Sequence, residues 1–460
     1  MLNKIVIQQQ KTVRYMQKHL SFEQISTQLT KSSRDFHASL EGGVGYIFEC
    51  KHRSPGEGEL RNDYDISNLA QQYATYGNAL SVLTNKPFFG GLFSHLQMVS
   101  QVTTLPLLCK DIIVHPYQVA LARLYQADAI LLMLSVLDDN TYLACKQLAQ
   151  QYNMAVITEV YTEDEMIRAN KLKANIILIN QRCLHTMIID KERIYKLAEH
   201  FTNEAIIIGA SGIQSHSQIN LLKQFVNGFL IGSVLSKSND VIQTMKDLIF
   251  GTVKVCGLTC KNDAQLAYLN GATYGGLIFA PTSMRKVTLE QAKVIASSKL
   301  KMVGVFVDQP LEQLISYAKQ LDLKAIQLHG NESCEYISKL RTHLNHDCKI
   351  LKAIDGTLPL PFEMPYGVDK IIVDNKTTSL GGTGKTFDWD NLKGSPLLDK
   401  IMLSGGISCE NIIHAKKYNT WGIDVNSGVE ESHGVKDKNK LEKFFQILKL
   451  YGGRHAKLFR

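Results

Sequence analysis

Long hydrophobic runs are missing from this chain. No apolar stretch in its 460 residues approaches the roughly 20 residues that a membrane-crossing helix needs, so no membrane association is expected. The opening residues, Met1-Leu2-Asn3-Lys4-Ile5-Val6-Ile7-Gln8-Gln9-Gln10, hold too short an apolar run for a secretory signal. Basic runs are missing too. Lys and Arg number 51 against 43 Asp and Glu, a net charge of +8, but they are scattered among the acids. That pattern suits an enzyme handling anions and argues against a nucleic-acid partner; an RNA-associated protein would carry basic clusters and stacking motifs. Cysteine is modest and unpaired. Nine cysteines, odd in number and irregular in spacing, speak against a disulfide framework and suit reduced thiols in the cytoplasm. Cys256 and Cys260 have three residues between them, and no second close pair of Cys or His completes a metal site, so none is expected.

With 45% hydrophobic and 20% charged residues the composition is that of a globular protein. The length suits two domains of roughly 200 to 250 residues each. The junction reads at Gly251. Before it, Val241, Ile242, Met245, Leu248 and Ile249 recur at helical spacing; after it, Val253-Lys254-Val255-Cys256 reads as a short strand ending at a glycine. No Pro- or Ser-rich linker separates them. The expected domains are therefore residues 1–251 and 252–460.

Residues 1 to about 40 read as helices, with Val13, Met16 and Leu20 on one apolar face and Phe22, Ile25 and Leu29 on another. Short β-rich runs then alternate with room for a helix: Tyr46–Phe48, Leu80–Leu83, Leu107–Cys109, Ala129–Leu134, Ala155–Ile157, Ile176–Ile179, Ala205–Ile208 and Phe229–Ile231. Near-continuous hydrophobic strands joined by helices mean a parallel sheet covered on both faces. Eight of them predict a closed (β/α)8 TIM barrel, with an open doubly wound sheet as the rival. The beat restarts in the second half, with runs at Val253–Val255, Leu277–Phe279, Met302–Phe306, Ala325–Leu328, Ile350–Leu351, Ile371–Val373, Ile401–Leu403 and Ile423–Val425. The fold class expected is thus α/β, two consecutive (β/α)8 barrels in one chain, without a close internal sequence repeat.

Strand exits are where such barrels place chemistry. In the first half they carry Glu49 and Lys51, Lys110, Glu159, Asn180 and Arg182, then Ser211-Gly212 and Gly232-Ser233. A lysine facing a glutamate suits acid–base work, and Gly-rich exits from the last two strands suit a phosphate site. In the second half Cys256 leaves the first strand and Asp374 the sixth, an acid–base pair for isomerisation at a carbonyl-level carbon. Gly405-Gly406 and Ser427-Gly428 again suit a phosphate cradle.

These residues carry two resemblances. Phe48-Glu49-Cys50-Lys51, Leu108-Cys109-Lys110-Asp111, Thr158-Glu159-Val160, Ile179-Asn180-Gln181-Arg182 and Ile231-Gly232-Ser233 resemble indole-3-glycerol-phosphate synthases, over about residues 35 to 250. That resemblance implies Lys110 as general acid and Glu159 as general base, with Glu49, Lys51 and Asn180 assisting. Arg182, Ser211, Gly212, Gly232 and Ser233 would hold the substrate's anionic ends. The chain departs from the family pattern at Cys183, where Asp is usual, at Ala210, where a substrate-contacting Glu is usual, and at Gly56, where Ser is usual. A working synthase site, weakened at Ala210, is expected; the alternative is a first barrel turned scaffold.

Lys254-Val255-Cys256-Gly257-Leu258-Thr259, Thr282-Ser283-Met284-Arg285, Gln327-Leu328-His329-Gly330, Asp374 with Gly381-Gly382-Thr383-Gly384-Lys385, and Asp424-Val425-Asn426-Ser427-Gly428-Val429-Glu430 resemble phosphoribosylanthranilate isomerases, over about residues 252 to 450. Here the resemblance implies Cys256 as the base that takes the C2′ proton and Asp374 as the acid that opens the ribose ring. Arg285 would bind the substrate, His329 would pack at the barrel mouth, and Cys260 stands where Arg is common. Together the halves are similar to the bifunctional tryptophan-pathway enzymes of bacteria. That implies phosphorylated small-molecule substrates, no metal or organic cofactor, a cytoplasmic location and a monomer.

Overall fold

The computed structural model describes residues 1–54, 56, 58–61, 64–200, 204–375 and 386–453. Pro55 and the Gly381–Lys385 stretch lie outside the described residues. The chain divides into two compact units, Met1–Met245 with Leu450–Arg460, and Lys246–Lys449. Among the described residues no helix is long and apolar enough to cross a membrane.

The first unit is a closed barrel of eight parallel strands. They are β1 (Gly45–Cys50), β2 (Ala79–Leu83), β3 (Leu107–Lys110), β4 (Ala129–Met133), β5 (Ala155–Val160), β6 (Ile176–Asn180), β7 (Ile206–Ala210) and β8 (Gly228–Ile231). β1 pairs with β2 on one side, Ile47 beside Ala79, and with β8 on the other, Gly45 beside Gly228, which closes the ring. The open doubly wound sheet is thereby excluded. Alternate residues point inward, and Ile47, Leu108, Leu131, Ile157, Leu178, Ile208 and Leu230 fill the interior as one cluster. At about 25 cal/mol per Å² of apolar surface removed from water, such burial is the main favourable term for the barrel.

Preceding the barrel are α1 (Leu2–His19) and α2 (Phe22–Ser26). The helical expectation holds to Ser26; beyond it only the short turn Ala38–Leu40 is helical. The buried stripe of α1 also differs from the one expected. It is Leu2, Ile5, Gln9 and Val13, while Met16 and Leu20 are only half-buried and Phe22 is exposed. Leu2 and Ile5 join the barrel's interior cluster. A polar clamp explains why Gln9 is inside: its amide nitrogen reaches both carboxylate oxygens of Asp111, at 3.1 and 3.0 Å, and its oxygen accepts from Asn85 at 2.8 Å. α2 starts on a capping box, Ser21 and Gln24 bonding each other's backbone N–H groups at 3.3 and 2.8 Å.

The second unit is also a closed barrel of eight parallel strands: β9 (Thr252–Val255), β10 (Tyr274–Ile278), β11 (Lys301–Phe306), β12 (Ala325–Leu328), β13 (Lys349–Asp355), β14 (Lys370–Asp374), β15 (Ile401–Leu403) and β16 (Gly422–Val425). β9 closes on β16 through Lys254 beside Asp424. One connection of this barrel lacks a helix. Between β13 and β14 the chain carries Pro359, Pro361 and Pro365 and forms no helix; proline lacks the N–H a helix interior requires.

Phe250 closes one side of this unit. It is 2% exposed, its ring meets Phe445 edge-on at 5.3 Å, and a side chain at Gly271 would strike it at 2.4 Å. Phe250→Ala should cost about 3 to 5 kcal/mol. Calorimetry should show the second unit's transition falling while that of the first unit stays in place.

Candidate active sites

Side-chain alternation explains why the mouth of each barrel is polar. Two residues beyond each inward apolar position, the next inward side chain stands where the strand runs out. Ile47 is thus followed by Glu49, Leu108 by Lys110, Ile157 by Glu159, Leu178 by Asn180 and Leu230 by Gly232. Glu49, Lys110, Glu159 and Asn180 therefore belong to the last turns of their strands, which fixes them more firmly than a loop would.

In the first barrel Lys110, Glu159, Glu49, Lys51, Asn180, Arg182, Ser211, Gly212, Gly232 and Ser233 all line one cavity of about 330 Å³. Met1 and Ile5 from α1 line it too. Glu49 is ringed by ammonium groups, Lys51 Nζ 3.1 Å from Oε1 and Lys110 Nζ 4.0 Å from Oε2. Burial raises its pKa, but Lys51 and Lys110 more than offset that and hold the carboxyl below its ordinary range. Glu159 behaves oppositely. Burial pushes it up, and Lys110 and Asn180 recover only part. Asn180 donates to its Oε1 at 3.0 Å, while Oε2 is buried without a hydrogen bond among the described residues. The two carboxyls thus have pKa values displaced in opposite directions by the same cavity.

Backbone geometry shapes the side of the cavity that Ser211 and Gly232 line. Ser211 holds φ +67°, a left-handed conformation that is uncommon for a residue with a side chain. Two bonds secure it: its hydroxyl donates to Asn180 Oδ1 at 2.8 Å, and the Gln181 amide donates to its carbonyl at 2.6 Å. Gly232 has no room for a side chain, since an added Cβ would lie 2.6 Å from Glu49 Oε1. Lys51 Nζ donates to Ser233 Oγ at 2.9 Å, which brings a cation to the last strand's exit. Ala210, at the end of β7, also lines the cavity, whereas Cys183 does not.

In the second barrel Cys256 follows β9, buried, with its N–H on Val425 O at 2.9 Å. Burial raises its thiol pKa, and Lys254 draws it partly back. Asp374 ends β14. Burial, reinforced by Asp424, pushes it up to about 6. The Asn375 N–H donates to its Oδ1 at 2.8 Å and the Ser404 hydroxyl to its Oδ2 at 3.4 Å. Gly405 and Gly406 follow, both left-handed at φ +83° and +66°, a path glycine alone takes freely. An added Cβ at Gly405 would lie 2.9 Å from Asp374 Oδ1, so this turn adjoins the Asp374 carboxyl. Ser427 and Gly428 leave β16, and Gly428 bridges to Ser408 on the neighbouring exit. Arg285 is less free than its expected role suggests. Its Nε and Nη2 clasp buried Glu430 at 2.7 to 3.1 Å, and Lys436 bonds the same carboxylate at 2.8 Å. His329 is half-buried at the mouth and bonds Gln327.

Several residues had gone without a role in the sequence. Lys254 and Asp424 pair inside the second barrel, Nζ to Oδ2 2.8 Å. The usable signal was a charge two residues before an inward mouth residue. Gln181, Glu430 and Gln9 gave no such signal, because their partners Ser211, Arg285 and Asp111 are distant in sequence; Lys436, six residues from Glu430, follows the last strand rather than ending it.

Comparison with known proteins supplies the family. Residues 2–248 match the family described as indole-3-glycerol phosphate synthase, and residues 253–447 match N-(5'phosphoribosyl)anthranilate (PRA) isomerase. The tryptophan biosynthesis protein TrpCF of Salmonella typhi is 42% identical over 426 residues, 92% of this chain and 93% of the relative. That of Haemophilus influenzae is 41% identical over 458 residues, 96% of each chain. A phosphoribosyl anthranilate isomerase structure from Thermus thermophilus is 32% identical, covering 43% of this chain and 98% of its own, with a TM-score of 0.39. With both family matches on one chain and relatives aligned along nearly all of it, the protein belongs to the bifunctional indole-3-glycerol-phosphate synthase and phosphoribosylanthranilate isomerase family of tryptophan biosynthesis.

Proposed function

We propose that each activity is carried by the acid–base pair at the mouth of its own barrel, on functional units 1–251 and 252–460. The isomerase converts N-(5-phosphoribosyl)anthranilate to 1-(2-carboxyphenylamino)-1-deoxyribulose 5-phosphate. Asp374 gives its proton to the ring oxygen as the ribose opens, and the Cys256 thiolate takes the C2′ proton. A carboxyl near pH 6 suits that donation better than an ordinary aspartate. Nη1 of Arg285, the nitrogen not turned to Glu430, reaches the substrate carboxylate, and Gly405, Gly406, Ser427 and Gly428 cradle the phosphate.

The synthase closes the indole ring with loss of carbon dioxide and water. Lys110 protonates the ketone oxygen that leaves as water, and Glu159 removes the proton released as the ring becomes aromatic. Glu49, Lys51 and Asn180 assist. Arg182, Ser211, Gly212, Gly232 and Ser233 bind the anionic ends. The observation that carries this reading is the bare, buried Oε2 of Glu159 inside the same cavity as Lys110. An intact acid–base set disfavours an inert first barrel. A monomer is the simplest setting, and nine free cysteines suit a reducing cytoplasm.

Lys110→Ala or Glu159→Gln should lower the synthase rate roughly 10² to 10⁴-fold and leave isomerisation unchanged. Glu159 must be ionised to act, so synthase kcat/KM should fall as pH drops through its raised pKa. That limb should lie above the ordinary glutamate value of about 4.3. Near-normal turnover in both variants would move the roles to Glu49 and Lys51.

Cys256→Ala or Asp374→Ala should abolish isomerisation while the synthase runs on supplied intermediate. Made as separate chains, residues 1–251 and 252–460 should each keep one activity, the second at lower stability because it lacks Phe250. Folded fragments with neither activity would refute the division.

Ala210→Glu restores a carboxylate that the family resemblance places against substrate. One charge-assisted hydrogen bond contributes about 1.5 to 3 kcal/mol, so synthase kcat/KM should rise roughly ten- to a hundredfold. A folded variant with no gain would mean that this barrel compensates elsewhere.

A further inference from the structure

The inner wall of the second barrel holds charges that those roles leave unused. Lys254 and Asp424 stand side by side on β9 and β16, 0% and 5% exposed, with Nζ 2.8 Å from Oδ2. The second oxygen of Asp424 is buried and has no hydrogen bond among the described residues. Ion pairs so deep are weak stabilisers, because desolvation offsets their attraction and apolar replacements often serve as well. Their position points to another use. Lys254 and Cys256 both flank Gly276, where an added Cβ would lie 3.1 Å from Lys254 Cε and 2.6 Å from Cys256 Sγ. On the far side, the Ser404 hydroxyl acts on both Asp374 and Asp424. Cys256, Lys254, Asp424, Ser404 and Asp374 are thus successive neighbours in the barrel interior.

We propose that Lys254 and Asp424 are positioning residues of the isomerase: the ammonium favours the thiolate on Cys256, and the carboxylate keeps the proton on Asp374. This rests on the assignment of Cys256 as base and Asp374 as acid. Only the form with a thiolate and a protonated carboxyl turns over. The thiol titrates above the carboxyl, so this form is a minority at every pH. Each pH unit by which the gap narrows raises its share tenfold. The charges facing Cys256 are Lys254, Asp424 and Lys436. Asp374 faces Asp424 and Lys254 and takes bonds from the Asn375 N–H and Ser404, with Asp355 its neighbour in the sheet. Arg285 is paired off against Glu430.

The test uses the full chain with two readouts, the pH profile of isomerase kcat/KM and the rate of Cys256 alkylation by iodoacetamide, followed by mass spectrometry. In Asp424→Asn, alkylation should speed up, because the thiolate loses a repelling neighbour. The acidic limb of isomerisation should move to lower pH, because Asp374 surrenders its proton sooner, and the alkaline limb should follow the thiol down. A merely structural role would slow turnover and leave both limbs in place. In Lys254→Met alkylation should slow at least tenfold and the alkaline limb should move up; Lys254→Arg, which keeps the charge, should retain most of the activity. Unmoved limbs or an unchanged alkylation rate in folded Asp424→Asn overturn the proposal, and so does loss of the second unit's thermal transition in that variant, which would assign the pair to stability. Failure of the underlying assignment looks different: the unaltered chain, stoichiometrically alkylated at Cys256, would still isomerise at full rate.

Discussion

Closure of the sheet into a barrel is the constraint on which both sites depend. Once Gly45 pairs with Gly228, and Lys254 with Asp424, no strand can slip without breaking pairing all the way round. Inward and outward positions are then fixed for every residue. The same alternation that sends Ile47, Leu108 and Ile157 into the core sends Glu49, Lys110 and Glu159 to the mouth. A carboxylate hung from a strand end is held by the core beneath it. That is why Ser211 can keep a strained left-handed backbone: Asn180 and Gln181, both at the end of β6, tie it in place.

Burial is the second common thread, and it acts with different results in the two barrels. It pushes the Glu49, Glu159 and Asp374 carboxyls up, and the neighbours decide what remains. Glu49 has two ammonium groups close by and ends below its ordinary range, whereas Glu159 shares Lys110 and ends above it. In the second barrel one carboxylate raises another, since Asp424 adds to the burial that lifts Asp374. The first barrel therefore separates two like groups by unequal pairing. The second couples unlike groups through one buried ion pair.

The N-terminal helices show where pattern alone misleads. Val13, Met16 and Leu20 make a plausible apolar face, yet the buried face of α1 includes Gln9 and not Met16. Its partner Asp111 lies 102 positions along the chain, and no local periodicity encodes that bond. Phe22, similarly, belongs to the apolar set by type but is exposed beside a capping box that fixes the helix start. Departures at Cys183 and Ala210 were visible as letters. Only the folded cavity separates them, because Ala210 lines it and Cys183 does not.

Sequence by itself determined the sixteen barrel strands, their parallel α/β class and the residues at their exits, while the pairing of first strand with last settled closure against an open sheet. Hydrophobic strands and their exits are local features, written in consecutive residues. Tertiary structure alone decided the pairings that give those residues their chemistry. Asn180 on Glu159, Lys51 on Ser233, Glu430 on Arg285 and Asp424 on Lys254 join positions up to 182 residues apart. Charge and proton occupancy depend on distance and desolvation, and those exist only after the barrels close.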